Sequence, residues 1–136
     1  MIVVDASVVV AWLLGERSES SAGFLFDAIP DGVAVAPAHW PHEIANALCG
    51  PAMAERLSSS DFQNIMDDLD QLKIQIEPAI HPDEIGPLVQ FAVANGLTTY
   101  DAAYVQLAFQ RQAVLVTLDK TMRKAARELG VTLLPA

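Results

Sequence analysis

Residues 1–15 have the sequence MIVVDASVVVAWLLG, which places one carboxylate, Asp5, between two runs of aliphatic residues. The run before Asp5 is typical of a short buried strand, and residues 7–14 have the apolar pattern of a helix packed against that strand. Asp5 is therefore expected at the C-terminal end of the strand, where burying an unpaired ion would cost several kcal/mol. The charge of this carboxylate requires a partner.

The rest of the chain continues the alternation of strand-like and helical segments, without internal repeats or linkers. This is the α/β pattern, and short, mostly apolar strands are typical of a parallel sheet covered on both faces. At 136 residues, the chain has the length of one domain. The predicted strands are 2–4, 33–36, 73–76, 114–117 and 132–134. The predicted helices are 7–14, 20–29, 41–48, 60–72, 83–94, 99–110 and 120–129, with a helix end and a short second helix at 49–51.

The amino-acid composition indicates which partners and which cellular location to expect. Hydrophobic residues make up 52% of the chain and the mean hydropathy is +0.31, which predicts a homodimer or a tightly bound partner. No apolar run approaches the ~18 residues of a membrane helix, and the N-terminus lacks the basic start of a secretion signal. We therefore expect a cytoplasmic protein without a membrane partner. Cys49 is the only cysteine, which excludes an intramolecular disulfide and a thiolate metal site.

Three further acids share the unusual setting of Asp5. Glu43 lies in the first turn of a predicted helix, Asp101 lies on an apolar helical face shared with Tyr104, and Asp119 directly follows the fourth strand. The carboxyl ends of parallel strands and the starts of the following helices share one edge of a sheet. The four acids can therefore converge, although each taken alone could be a helix cap or a first-turn acid that favours the helix dipole.

Electrostatic repulsion favours a bound cation over four separate caps. Two carboxylates about 5 Å apart repel by roughly 3 kcal/mol at an effective dielectric constant near 20. Oxygen ligands without cysteine or a histidine cluster favour Mg²⁺ or Mn²⁺. A zinc site at His39 and His42 is disfavoured, because Pro41 between them disrupts helical spacing. These histidines are interpreted as helix-start or surface residues, and Tyr104 as a core residue.

The segments VVDASVVVAWL, PHEIANAL, TTYDAAYVQLA and VTLDKTMRKAA resemble, in order and spacing, the PIN domain, and specifically the VapC-type toxins of prokaryotic toxin–antitoxin modules. The resemblance implies a single three-layer α/β/α domain over residues 1–136 with a short central parallel sheet. It also implies a Mg²⁺-dependent ribonuclease, with Mn²⁺ as a possible substitute, that cleaves RNA phosphodiester bonds, and a cognate VapB-type antitoxin. The implied site consists of Asp5, Glu43, Asp101 and Asp119 as catalytic and metal-binding acids, with Ser7 and Thr117 as hydroxyl partners and Asn46 as a supporting residue.

Net charge raises an objection to an RNA substrate. The chain carries a net charge of −9, which argues against simple attraction to nucleic acid. A divalent cation would answer the objection locally by neutralising the phosphate. Four of the eight basic residues lie along one face of the last long helix, and they suit either an RNA backbone contact or an ordinary solvated face. These residues are Lys120, Arg123, Lys124 and Arg127, of which the first three are the candidates for RNA.

Other functions fit the sequence less well. An aspartyl-phosphate phosphatase needs a second Asp two residues after the first, and this position is Ser7. A signalling receiver domain needs a phosphoacceptor Asp after the third strand, where the sequence is IEPAI. The remaining alternative is a catalytically silent PIN-like module that binds RNA or protein. RNA cleavage with and without Mg²⁺ would distinguish this alternative from the enzyme.

Overall fold

The computed structural model describes residues 1–15 and 33–136. The predicted helix at 20–29 lies outside the described residues. The described part contains one parallel sheet of five strands in the order β3-β2-β1-β4-β5. The strands are β1 (Ile2–Val4), β2 (Ala34–Ala36), β3 (Gln75–Ile76), β4 (Val114–Val116) and β5 (Leu133–Leu134).

Six α-helices are described between or after these strands. They are α1 (Ala6–Leu13), α2 (Trp40–Met53), α3 (Ser59–Leu72), α4 (Ile85–Asn95), α5 (Thr99–Arg111) and α6 (Lys120–Glu128), with a 3₁₀ turn at Pro82–Glu84 before α4. The alternation of strands and helices confirms the predicted α/β class.

Strand β1 forms the centre of the core. Its residues Ile2, Val3 and Val4 are 6%, 0% and 0% exposed. Because successive strand residues point to opposite faces, helices must cover both sides of the sheet. Helix α1 packs against α2, while α5 contacts β1, β4, α4 and α6. This is the expected three-layer α/β/α arrangement around a short parallel sheet.

Most element boundaries differ from the sequence prediction by one or two residues, and two of the differences have a clear local cause. Helix α2 does not end at 48 but continues to Met53, and Pro51 is tolerated because it falls in the last turn, where it removes only one intrahelical hydrogen bond. Strand β3 does not begin at 73, because Lys73 ends helix α3 in the left-handed conformation with φ of 50°. The strand therefore starts only at Gln75.

The register of the two central strands positions the candidate site. Val4 of β1 is paired with Val116 of β4, and the backbone N–H of Asp5 donates to the carbonyl of Val116 at 3.0 Å. Asp5 and Thr117 therefore leave the sheet side by side at its carboxyl edge. In the described residues, no helix is both long enough and apolar enough to cross a membrane.

Candidate metal centre

Asp5 is held by three hydrogen bonds at the start of helix α1. It is 5% exposed and forms the N-cap of the helix, where its Oδ1 accepts from the backbone N–H of Ser7 at 3.3 Å. Its Oδ2 accepts from the hydroxyls of Ser7 at 2.6 Å and Thr117 at 2.8 Å. The protein itself thus supplies most of the partners that the buried charge requires.

Thr117 connects Asp5 to Asp119. The Thr117 side chain is fully buried, and its Oγ1 donates to Asp5 while accepting from the backbone N–H of Asp119 at 3.1 Å. Asp119 is the N-cap of helix α6, and its Oδ1 accepts from the N–H of Met122 at 2.8 Å. The ordinary capping function proposed for both acids is present, and it leaves Asp119 Oδ2 without a hydrogen bond in the described part of the chain.

Glu43 lies in the first turn of helix α2, and one of its oxygens contacts two side chains. Oε1 accepts a hydrogen bond of 2.6 Å from the hydroxyl of Tyr104, which is fully buried. Nε2 of His39 lies 3.1 Å from the same oxygen, without hydrogen-bond geometry. Burial and, second, the bond to Glu43 raise the pKa of Tyr104 far above its ordinary value, so the phenol stays a donor.

The pKa of Asp101 is affected by the charges of the other three acids. Partial burial raises its pKa most, followed by the charges of Asp119, Asp5 and Glu43 in that order, while a hydrogen bond with Thr98 acts in the opposite direction. Like charges disfavour ionisation of a neighbour only when they are close. The four acids, which come from four separate segments of the chain, therefore converge at the carboxyl edge of the sheet.

The donor chemistry of this cluster fits a hard divalent cation. Within residues 1–15 and 33–136, no three His, Cys, Asp or Glu side chains already form a ligand set. Carboxylate oxygens are nevertheless ligands of Mg²⁺, which retains several waters and is often bound by only one or two carboxylates. A bound cation would reduce the electrostatic repulsion between Asp101 and the other three carboxylates.

The remaining predicted residues occupy different positions. Ser7 and Thr117 contact Asp5 directly, whereas Asn46 is exposed and its side chain makes no hydrogen bond to another described residue. Lys120 and Lys124 are exposed on helix α6. Arg123 instead turns inward, because its guanidinium donates to the backbone carbonyls of Thr117 at 2.8 Å and Pro135 at 2.6 Å.

The sequence interpretation missed two contacts of Glu43. His39 was assigned to a helix start or the surface, and Tyr104 to core packing alone. His39 precedes Glu43 by four residues, which is the spacing of neighbours on a helix. Tyr104 follows Asp101 by three residues on the same helical face, so its proximity to the acids had a signal in the sequence.

Comparison with known proteins identifies the class. The sequence matches the PIN domain over residues 2–128, and the chain belongs to the PIN domain family. It is 29% identical over 122 residues to Ribonuclease VapC3 of Pyrobaculum aerophilum, covering 89% of this chain and 91% of that protein. The resemblance inferred from the four sequence segments is thereby confirmed.

Solved structures show the same fold. The crystal structure of PAE2754 from Pyrobaculum aerophilum has a TM-score of 0.69 and 22% identity, covering 98% of this chain and 83% of that one. VapBC2 from Rickettsia felis, bound to a promoter DNA fragment, has a TM-score of 0.62 and 16% identity, covering 98% and 97%. FitAcB from Neisseria gonorrhoeae has a TM-score of 0.61 and 18% identity, covering 98% and 96%.

Proposed function

We propose that the protein is a VapC-type endoribonuclease that hydrolyses RNA phosphodiester bonds with the help of Mg²⁺. The observation that carries the proposal is the convergence of four acids at one edge of a PIN-domain sheet, where partial burial and then the charges of the other three acids raise the pKa of Asp101. The ribonuclease that aligns with 89% of the chain supports the same activity.

The four acids are the residues that would hold the cation. Asp5 and Asp119 belong to the β1 and β4 ends of the sheet, and Glu43 and Asp101 belong to the first turns of α2 and α5. Their oxygens are ligands for Mg²⁺, and Mn²⁺ accepts the same oxygen donors. When bound, the cation supplies positive charge that offsets the phosphate and makes water a better nucleophile at neutral pH.

The chain's own residues prepare this site. Ser7 and Thr117 hold the Asp5 carboxylate in one orientation, and Thr117 also fixes the backbone at Asp119. Lys120 and Lys124 lie in the helix that begins directly after Asp119, which supports a role in binding the RNA backbone near the acids. Arg123 donates to two backbone carbonyls, and the exposed Asn46 side chain makes no hydrogen bond to a described acid, so neither is retained in the proposal.

We further propose a cognate VapB-type antitoxin and a homodimer as protein partners, and a cytoplasmic location. Helix α4 carries an exposed apolar stripe formed by Ile85, Val89 and Val93, which are 53%, 44% and 77% exposed. Such surfaces are typical of protein interfaces. The Rickettsia felis structure of the same fold contains a VapBC2 pair bound to DNA, which supports an antitoxin partner.

A cleavage assay on end-labelled single-stranded RNA tests the activity. The purified protein should cut RNA in Mg²⁺, lose activity in excess EDTA and regain it when Mg²⁺ or Mn²⁺ is restored. Asp119→Asn should abolish cleavage, whereas Glu128→Gln, at the far end of the same helix, should not. This matched pair distinguishes the protein's own activity from a contaminating nuclease.

The same assay tests the alternative that the protein is a catalytically silent PIN-like module. That alternative requires RNA or partner binding without metal-dependent cleavage across a varied set of RNAs. Cleavage that survives EDTA, or that is equal in Asp119→Asn and the unmodified protein, would contradict the proposed enzyme.

A further inference from the structure

Tyr104 is the largest of the fully buried side chains in the described residues, yet its hydroxyl points to an acid of the candidate site. The hydroxyl donates to Oε1 of Glu43 at 2.6 Å, across 61 positions of sequence. This bond joins helix α5, which carries Asp101, to helix α2, which carries Glu43. A short bond between a neutral donor and a carboxylate is a strong one.

His39 occupies the same side of Glu43. Its ring lies between Tyr100 and Tyr104, with ring centroids separated by 5.4 Å and 5.2 Å, and its Nε2 is 3.1 Å from Oε1. In the described part of the chain, no group donates a hydrogen bond to the other oxygen, Oε2. The two oxygens of one carboxylate therefore have different surroundings, because Oε1 is contacted by two protein groups and Oε2 has no hydrogen-bond donor among the described residues.

We propose that Tyr104 is a positioning residue that directs Oε1 of Glu43 toward the protein and Oε2 toward the metal ion. The inference rests on the metal site of the proposed function. Without the phenol, Oε1 of Glu43 loses its hydrogen bond while the repulsion from the other acids remains, and the Glu43 side chain, which is 38% exposed, can rotate toward water. Ordering Glu43 again would then reduce the free energy of metal binding.

A purely structural role for the Tyr104 hydroxyl makes a different prediction. If the bond only stabilised the core, its removal would lower the melting temperature and leave metal affinity unchanged. Metal affinity measured without RNA, and well below the melting temperature, therefore separates the two roles.

The test is Mn²⁺ binding to the full chain, measured by electron paramagnetic resonance and by calorimetry. Tyr104→Phe retains the ring that fills the core and removes only the donor, so circular dichroism should show a folded protein. Loss of a group that orients a ligand costs about 10- to 100-fold in metal affinity, and we expect a weakening in that range. Tyr100→Phe is the matched control, because Tyr100 contacts the same His39 ring but makes no hydrogen bond to Glu43. Its Mn²⁺ affinity should equal that of the unmodified protein.

A double-mutant cycle tests whether Tyr104 acts through Glu43. In a Glu43→Gln background, where the ligand charge is already lost, adding Tyr104→Phe should weaken Mn²⁺ binding by less than about twofold. An equal loss in both backgrounds would overturn the positioning role.

The outcomes distinguish this inference from the proposed function. If the unmodified protein binds Mn²⁺ in a manner that Asp101→Asn abolishes, but Tyr104→Phe binds as tightly as the unmodified protein, the positioning role is wrong and the metal site stands. If Asp101→Asn has no effect on Mn²⁺ binding, both are wrong.

Discussion

Asp5 and Asp101 lie at the same edge of the sheet in opposite electrostatic settings. Asp5 is almost fully buried and receives hydrogen bonds from an amide and two hydroxyls. Asp101 is partly exposed, and its pKa is raised first by partial burial and then by three negative charges. The first carboxylate is satisfied by the protein, and we propose that the second is available to bind a cation. The contrast shows that acids of one candidate site can serve folding and function to different degrees.

The different settings follow from where each acid lies in the chain. Asp5 caps helix α1 directly after the central strand, so its orientation is part of how the core forms. Asp101 is in the first turn of α5, whose cap is Thr98, so the helix does not need the Asp101 carboxylate to begin. The folding contribution is therefore concentrated at Asp5.

The largest expected effect is the loss of RNA cleavage, which should be similar when either Asp5 or Asp101 is replaced. The two substitutions should differ in their effect on stability. Asp5→Asn and Asp101→Asn should each reduce RNA cleavage by about a thousandfold or more, since each removes a charged ligand. In EDTA, Asp101→Asn should melt at an equal or higher temperature because repulsion is relieved, and Asp5→Asn at a lower one. Asp83→Asn, on the exposed 3₁₀ turn, is the control for a lost surface charge.

An Asp5→Asn protein as stable as the unmodified protein would remove the distinction between the two acids. Retained cleavage in either variant would contradict the assignment of that acid to the metal site.

The second prediction concerns the buried hydroxyl that supports Asp5. Thr117→Val keeps the shape of the side chain but removes the donor to Asp5 and the acceptor for the Asp119 N–H. We expect a loss of about 1–3 kcal/mol in the free energy of unfolding, measured by urea titration in EDTA. Thr132→Val, an exposed threonine before β5, is the matched control and should change stability by less than about 0.5 kcal/mol.

A third prediction uses pH to isolate Asp101 in the metal-free protein. Its pKa is raised above the ordinary 3.8 in the folded state, so the folded protein binds more protons at this group than the unfolded chain does. Its contribution to stability is then greatest below pH 3.8 and is lost as pH rises through the raised pKa. The melting temperature of the unmodified protein minus that of Asp101→Asn should therefore fall as pH rises across this window. A difference that stays constant or increases with pH would contradict the raised pKa, and Mg²⁺ should reduce the decline.

Much of the contrast between Asp5 and Asp101 could be predicted from the sequence, because it depends on where each acid lies relative to the neighbouring strand and helix. The strand before Asp5 and the helix after it are evident in fifteen residues, and the rule that parallel strands end at one edge brings Asp119 near it. Glu43 and Asp101 followed from their places in the first turns of two helices. The α/β class and the PIN family were predicted from these segments and are confirmed.

The contacts that refine the site could not be predicted in the same way. The Tyr104–Glu43 bond depends on how helices α5 and α2 approach each other across the molecule. The pattern of basic residues on α6 likewise did not show that Arg123 would reach the carbonyl of Pro135 near the C-terminus. Helical spacing indicates which residues share a face, but the neighbouring segments decide what that face contacts.

The smallest expected effect is on RNA affinity and concerns helix α6. One basic residue of this helix makes hydrogen bonds within the fold, and two others are exposed. Lys120 and Lys124 are exposed and follow Asp119 closely, whereas Arg123 donates to two backbone carbonyls. Each phosphate contact of a single strand contributes about 0.7 to the slope of log affinity against log salt concentration, so Lys120→Gln with Lys124→Gln should make the slope shallower by about 1.4. Binding measured in Ca²⁺, which is expected to occupy the site with little cleavage, separates affinity from catalysis. Arg127→Gln, at the far end of the helix, should leave the slope unchanged, and Arg123→Gln should lower the melting temperature instead. An unchanged slope in the double lysine variant would make this face an ordinary solvated surface of an acidic protein.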